Sequence, residues 1–260
     1  MSLKVCVLVS GSSGNCISVA SSRTAILVDA GLSCRETLKR LESAGVVPES
    51  VKAICVTHEH ADHVSSLGPL QRKLGADLYA NSGTIEGVSR DEKARDLPWK
   101  VFMTGSAFTV GDLEIQPFSV PHDAYDPVGF VISEGKSRVG IVTDMGMVTE
   151  LIRQKLKGCQ VVVVESNHDE SLLKDSSRPW VLKQRIAGSQ GHLSNEQACQ
   201  LLADIASPEL KTVFLAHLSG ECNKQALAVK CARGVLDKKG FPGIAVKLTY
   251  ADRASEVAEC

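Results

Sequence analysis

Three histidines and an aspartate crowd into the short segment Thr57-His58-Glu59-His60-Ala61-Asp62-His63. Imidazole nitrogens and carboxylate oxygens in that mix suit zinc best, and manganese or iron accepts the same donors. The preceding residues Ala53–Thr57 predict a strand, so His58 and His60 point the same way as the extended chain leaves the sheet. The turn into a following helix brings Asp62 and His63 round toward a second position. A side chain serves two metals only by bridging them, so two pairs from one loop predict two adjacent divalent-metal sites. A solvated charged loop would account for one histidine and one aspartate, but not for this crowding.

Two metals need further donors, and three more stand where apolar strands run out. His122 follows the predicted strand Leu113–Ser119, Asp144 follows Arg138–Thr143, and His217 follows Thr212–Ala216. Polar groups on loops held by a rigid sheet are where sites form. Taken alone, Asp144 reads equally well as a turn residue or a helix cap. Taken with the histidine-rich loop, the three strand ends read as one assembled site.

The elements that must position these groups alternate short β-branched runs with amphipathic patterns. Further strands are predicted at Lys4–Val9, Ile17–Ala20, Ala25–Asp29, Leu78–Asn81, Gly129–Ser133, Val161–Glu165 and Ala245–Leu248. Helices are predicted at Arg35–Ala44, Asp62–Leu74, Val148–Leu156, Asn195–Ile205 and Lys224–Lys238. Val64, Leu67, Leu70 and Leu74 give the second helix one apolar face. Ser194-Asn195-Glu196-Gln197 marks the start of the fourth with a capping box. A strand-rich first third followed by mixed segments predicts an α/β protein of two packed sheets with helices outside, not a doubly wound sheet. With no low-complexity linker and no solenoid repeat, residues 1–260 are expected to form one domain.

Composition narrows the class. Lys plus Arg number 29 against 30 Asp plus Glu, a formal charge of −1, with 43% hydrophobic residues. That is ordinary for a soluble globular chain and argues against a basic coat for non-specific nucleic-acid binding. No apolar run approaches the roughly 18 residues of a membrane span, and Met1–Val7 lacks the pattern of a secretory signal. The expected setting is cytoplasmic, with the nine cysteines mostly free thiols in the core. No Cys-x-x-Cys pair points to a zinc ribbon or redox site. Ser10-Gly11-Ser12-Ser13-Gly14-Asn15 lacks the lysine and spacing of a P-loop.

In this order Val28-Asp29-Ala30-Gly31, the His58–His63 motif, His122, Asp144 and His217 resemble the metallo-β-lactamase-fold hydrolases over nearly the whole chain. The resemblance implies a four-layer αβ/βα sandwich with the site at one edge of the two sheets. It implies that His58, His60 and His122 hold one metal, that Asp62, His63 and His217 hold the other, and that Asp144 bridges. Asp29 would then support the ligand loop. Fold alone fixes no substrate. Pro121-His122-Asp123-Ala124 departs from the Gly-His-[Ser/Thr] pattern of the lactamases and thioesterases. Ala216-His217-Leu218-Ser219 looks instead like the phosphodiesterase branch. Gly191-His192-Leu193-Ser194-Asn195 is similar to an element of ribonuclease Z whose histidine faces the scissile phosphate. With Ser13–Asn15 and Glu165-Ser166-Asn167-His168-Asp169, the set looks most like the single-domain WalJ/YycJ-type bacterial nucleases, which implies 5′-to-3′ exonuclease activity on DNA. The 73 positions from Asp144 to His217 leave no room for the inserted domain of the ribonuclease J type.

Metal-assisted phosphodiester hydrolysis is the expected reaction, with a hydroxide generated between two metals as nucleophile. His192 lies two residues before the predicted cap Ser194, at a helix start that favours an anion. It is expected to neutralise the phosphate or protonate the leaving oxygen. Analogy with ribonuclease Z makes Glu165 the group that orients His192, and Asp62 is expected to double as ligand and proton acceptor. His168, Lys183, Arg185 and Ser194 are expected to meet a nucleic-acid substrate, DNA favoured over RNA. Two readings of residues 178–185 stay open: a narrow basic strip of Arg178, Lys183 and Arg185 with Trp180 as a stacking surface, or a solvated strand with a core tryptophan. A protein of charge −1 then grips nucleic acid locally, with a modest salt dependence. Two other classes fit the same residues, a small-molecule hydrolase acting on a cyclic phosphodiester or thioester, and a non-catalytic metal-binding regulator.

Overall fold

The computed structural model describes residues 2–92 and 94–260. Its strands, in chain order, are β1 (Lys4–Val9), β2 (Cys16–Ala20), β3 (Ala25–Val28), β4 (Val51–Cys55), β5 (Asp77–Ala80), β6 (Trp99–Val101), β7 (Phe108–Val110), β8 (Leu113–Ser119), β9 (Val128–Glu134), β10 (Ser137–Val142), β11 (Val161–Glu165), β12 (Thr212–Ala216), β13 (Ala245–Leu248) and β14 (Ala258–Glu259). They form two seven-stranded sheets, ordered β14-β1-β2-β3-β4-β5-β6 and β13-β12-β11-β10-β9-β8-β7. The helices are α1 (Cys34–Ser43), α2 (Ala61–Val64), α3 (Leu67–Leu74), α4 (Ser82–Val88), α5 (Glu150–Leu156), α6 (Glu170–Asp175), α7 (Trp180–Ala187), α8 (Asn195–Ile205) and α9 (Gln225–Lys238).

Both sheets are covered on both faces, which explains runs such as Val161-Val162-Val163-Val164. Val161 and Val163 join Val5, Ile26 and Phe130 in the core between the sheets. Val162 and Val164 point the other way and pack with Ile152 of α5, Leu202 of α8 and Leu236 of α9. The outer face of the first sheet is closed by Leu41 of α1 and Leu67 and Leu70 of α3. Helix, sheet, sheet and helix are the expected four layers. No helix among the described residues is long and apolar enough to cross a membrane.

Parallel pairing aims the strands at one edge. β10, β11 and β12 run parallel, with Val142 beside Val164 and Glu165 beside Ala216, so Asp144, Glu165 and His217 emerge together. β3 and β4 are likewise parallel, with Val28 beside Cys55, which delivers Asp29 and the ligand loop side by side.

Two expectations need correction. The helix Asp62–Leu74 is broken into α2 and α3 at Ser65 and Ser66. Pro69 has no N–H to continue the first helix, and the freed Ser66 N–H bonds Ala30 O at 2.9 Å. Residues 178–185 are no strand: Pro179 caps α7 and Trp180 is 68% exposed rather than in a core. The cysteines are mostly free thiols as expected, seven of the nine, while Cys199 and Cys231 bring their sulfurs together between the packed helices α8 and α9.

Candidate metal centre

The chain leaves β4 through Val56 and Thr57 into the histidine-rich loop. His58 is buried, His60 stands partly exposed just before α2, and His63 is fully buried within α2. The loop Ser10–Asn15 clamps the motif from outside. Asn15 N donates to Asp62 O at 2.7 Å, and Asn15 Nδ2 donates to Asp62 Oδ2 at 3.0 Å. Such close backbone approach needs a glycine at 31, where a Cβ would collide with the Asp62 carbonyl and the Asn15 nitrogen. Asp29 stands behind the loop, its Oδ2 at 2.8 Å from His63 Nδ1 and its Oδ1 accepting from Thr57 N at 2.8 Å.

Backbone strain gathers at this edge. Among the described residues, the non-glycine positions with positive φ are Asp29 (65°), Asp144 (54°) and His217 (54°). A left-handed conformation costs about 1–3 kcal/mol at such residues. All three lie just beyond strand ends and turn a side chain into the same cluster, so the strain is spent on aiming functional groups.

The structure brings together the ligand atoms of His58, His60 and His122, and separately those of Asp62, His63 and His217, in each case within 4.8 Å of one another. Asp144 connects the two sets: it groups with His58 and His63 on one side and with His217, Glu165 and His192 on the other. Buried polar atoms normally find partners. Here His58 Nε2, Asp144 Oδ2 and His217 Nε2 are buried without any hydrogen bond. Unpaired nitrogen and carboxylate atoms within these groups are the donors a divalent cation requires, so the residues fit metal binding.

Charge is unevenly distributed over the two sets. Burial pushes His58 and His122 toward the neutral form, reinforced at His58 by the neighbouring His63 charge. Burial, the largest single influence, opposes charge on His63 and His217, but the carboxylates together outweigh it, Asp144 with Asp29 at His63 and Asp144 with Asp62 and Glu165 at His217, whose pKa rises to about 10. Burial would raise Asp144 too, yet the facing His217 and His63 hold it well below the usual carboxylate range.

Glu165 lies fully buried at the end of β11 and organises the second set. Its Oε1 is 2.7 Å from His192 Nδ1 and 2.9 Å from His217 Nδ1. Its Oε2 accepts from Met145 N at 3.0 Å and Leu193 N at 3.2 Å. Burial alone would raise this carboxyl, but His192 and His217 hold its pKa at about 2.

The residues expected at substrate divide between two places. On helix α7, positions two apart face opposite ways. Arg185 therefore lines the cleft with His192 and bonds Asp123 Oδ2 at 2.6 Å, whereas Lys183 lines a different cavity with His168 and Ser194. The single basic strip of Arg178, Lys183 and Arg185 does not form. Ser194 caps α8 through the expected capping box with Gln197. Asp169 caps α6, its side chain accepting from Leu172 N at 3.0 Å, which gives that motif residue a structural task. Two neighbours of the site escaped the sequence reading. Asp123 ties Arg185 to the third histidine, its Oδ1 lying 3.4 Å from His122 Nε2. Asn167 Nδ2 holds the His217 carbonyl at 2.8 Å. Both sit inside quoted motifs, but a motif does not say which partner a side chain will find.

Residues 24–217 match a family model described as the beta-lactamase superfamily domain. The chain belongs to this superfamily. It is 37% identical over 248 residues to "Exodeoxyribonuclease YycJ" of Bacillus anthracis, covering 93% of this chain and 92% of that one. It is 36% identical over 228 residues to "Exodeoxyribonuclease WalJ" of Streptococcus pneumoniae serotype 2, covering 86% and 85%. In structure it is similar to the metallo-beta-lactamase fold protein YhfI of Bacillus subtilis, with a TM-score of 0.75, 19% identity and 100% of each chain covered. That likeness speaks for the fold alone. With this family and these relatives, the chain is a metal-dependent hydrolase.

Proposed function

We propose that the chain is a nuclease that hydrolyses phosphodiester bonds of DNA from a 5′ end at a two-metal centre. The observation that carries this reading is Glu165 Oε1, shared at 2.7 Å with His192 and at 2.9 Å with His217. It couples an acid–base histidine to the ligand cluster, in a chain whose relatives are named exodeoxyribonucleases. His58, His60 and His122 would hold one ion, Asp62, His63 and His217 the other, with Asp144 between them. Zinc suits this imidazole-rich set best, and manganese or iron would be accepted. When bound, the ions supply Lewis acidity toward a phosphoryl oxygen and make water nucleophilic near neutral pH.

The chain's own residues supply the remaining steps. Burial opposes charge on His192, but the Glu165 carboxylate at its Nδ1 raises its pKa and favours the doubly protonated ring, so that Nδ1–H stays hydrogen-bonded to Glu165 while Nε2–H gives its proton to the leaving oxygen. Asp62, partly exposed, accepts the proton that the attacking water loses. Arg185, braced on Asp123, offers its guanidinium to a neighbouring phosphate.

The test is to load purified protein with zinc or manganese and offer 5′- and 3′-labelled single- and double-stranded DNA and RNA, a cyclic nucleotide and a thioester. Stepwise release of 5′-terminal nucleotides from DNA is expected. Thioester turnover without phosphodiester cleavage overturns the reading, and a preference for RNA or the cyclic nucleotide reassigns the substrate.

A further inference from the structure

Behind the metal cleft lies a second cavity of about 400 Å³, which no step of the proposed hydrolysis uses. Its size falls in the range of small-molecule sites, about 300–1,000 Å³. His168, Glu170, Trp180, Lys183 and Ser194 bring its polar and aromatic groups, and Leu173 part of its apolar wall.

Cavity and cleft share a partition. Residues 166–168 run beside 193–195, with Asn167 N donating to Leu193 O at 3.0 Å and Asn195 N donating to His168 O at 2.8 Å. Alternate side chains of extended backbone project to opposite sides. Asn167 and His192 accordingly line the cleft, while His168 and Ser194 line the cavity. Helix α7 spans both spaces, with Arg185 on the cleft side and Trp180 and Lys183 on the cavity side.

Three features of the cavity call for a particular ligand. His168 is 2% exposed, and its Nδ1 is buried with no hydrogen-bond partner. Buried polar atoms normally have a partner, so His168 brings unmet hydrogen-bonding capacity to this wall. Trp180 carries a large, exposed aromatic surface at the rim. Lys183 Nζ donates to Lys174 O at 2.6 Å, which fixes an ammonium beside the opening. A purely apolar ligand would leave His168 unpaired, and a free anion would have no use for Trp180. A heterocycle with a π-face, hydrogen-bonding edges and an adjoining phosphate answers all three.

We propose that this cavity binds one nucleobase of the DNA strand under cleavage, stacked on Trp180, with its edge toward the His168 ring and its flanking phosphate at Lys183. The proposal rests on the nuclease reading and adds to it a base-holding subsite one wall away from the metals.

The test reads binding without turnover. A fluorescently labelled single-stranded oligonucleotide is titrated with protein in chelator, and anisotropy is measured for the intact strand and for strands carrying one abasic position, moved along the sequence. Trp180→Ala should weaken binding of the intact strand about 5- to 100-fold, the worth of one base stacked on an aromatic ring. At one abasic position the wild type should lose a similar factor, and there Trp180→Ala should cause no further loss. Unchanged binding by Trp180→Ala, or losses that multiply at every abasic position, overturns the subsite while leaving the nuclease reading intact. A wild type that neither binds the strand nor cleaves any phosphodiester when metal-loaded overturns both.

Discussion

The two ligand sets differ in what stands behind them. His58 leans on the Thr57 hydroxyl at 3.0 Å and His122 on the Gly191 carbonyl at 3.1 Å, both neutral, and His60 is partly open to solvent. His63 and His217 are buried and backed by carboxylates, Asp29 at 2.8 Å and Glu165 at 2.9 Å, while Asn15 pins Asp62 at 3.0 Å. A carboxylate behind an imidazole fixes its orientation and makes it a stronger donor. The second set is therefore rigid and charge-backed, and the first more adjustable, open to solvent at His60.

Asp144 is the group on which that contrast depends, because it stands between the sets: its Oδ2 lies 3.3 Å from His63 Nε2 and its Oδ1 3.4 Å from His217 Nδ1, and it groups within 4.8 Å with His58 of the first set. Asp144→Ala should abolish phosphodiester cleavage by more than about a thousand-fold, exceeding the loss of a single electrostatic contact. Metal analysis of the purified variant should show that both ions are weakened. Retention of two tightly held metals would mean that the sets do not share this carboxylate. His192→Ala probes the same network without touching a ligand. Its kcat should fall about 100- to 10,000-fold, the range for a lost acid–base group, with metal content unchanged. Full activity in that variant would remove its assigned role and leave the metal centre standing.

Why the clustered histidines and aspartates were legible and their supports were not follows from the same contrast. His58–His63, His122, Asp144 and His217 each sit where an apolar run ends, and strand ends are visible in hydrophobic patterning. The four layers were legible for a related reason: β11 is buried on both faces and β8 on alternating residues from Leu113 to Pro117, and each leaves its own period in the sequence. Asn15, Asp123 and Asn167 work through partners far off in the chain, Asp62 at a separation of 47 and His217 at 50 for the first and last of them. No local pattern encodes such a distance. Helix α7 was missed because its eight residues bury only Ile186 and expose Trp180 and Val181, so it carries no apolar face to read. Its start signal, Pro179, was present but belongs to turns as well as helices.

Removing one carboxylate brace separates the sets more finely. Glu165→Gln keeps the shape of the side chain but loses the charge facing His217, and Asp29→Asn does the same behind His63. Each should weaken metal at the second set about 10- to 100-fold while leaving the first set near its wild-type affinity. Competition titration against a chromogenic chelator, repeated in a His60→Ala background that disables the first set, assigns the loss. Equal weakening of both metals by either variant would erase the distinction between a braced and an adjustable site.

The smallest effect is the most direct reading of that distinction. In the metal-free protein the His217 pKa stands at about 10 and that of His63 well above the ordinary value, so both rings carry protons at neutral pH. A metal must displace those protons before it can bind. Affinity at the second set should therefore rise with pH, up to about tenfold per unit for each proton displaced, and keep rising until the His217 pKa is reached. His58 and His122 are shifted the other way and already hold neutral rings, so these two donors ask for no such exchange. Zinc titrations from about pH 6.5 to 8.5 should then show a steep slope in His60→Ala, where only the second set is whole. Asp62→Asn, which spoils the second set and keeps the first, should give a shallow one. Two parallel slopes would mean that proton occupancy is spread over all the histidines, and that the carboxylates brace the cluster as a whole rather than one half of it.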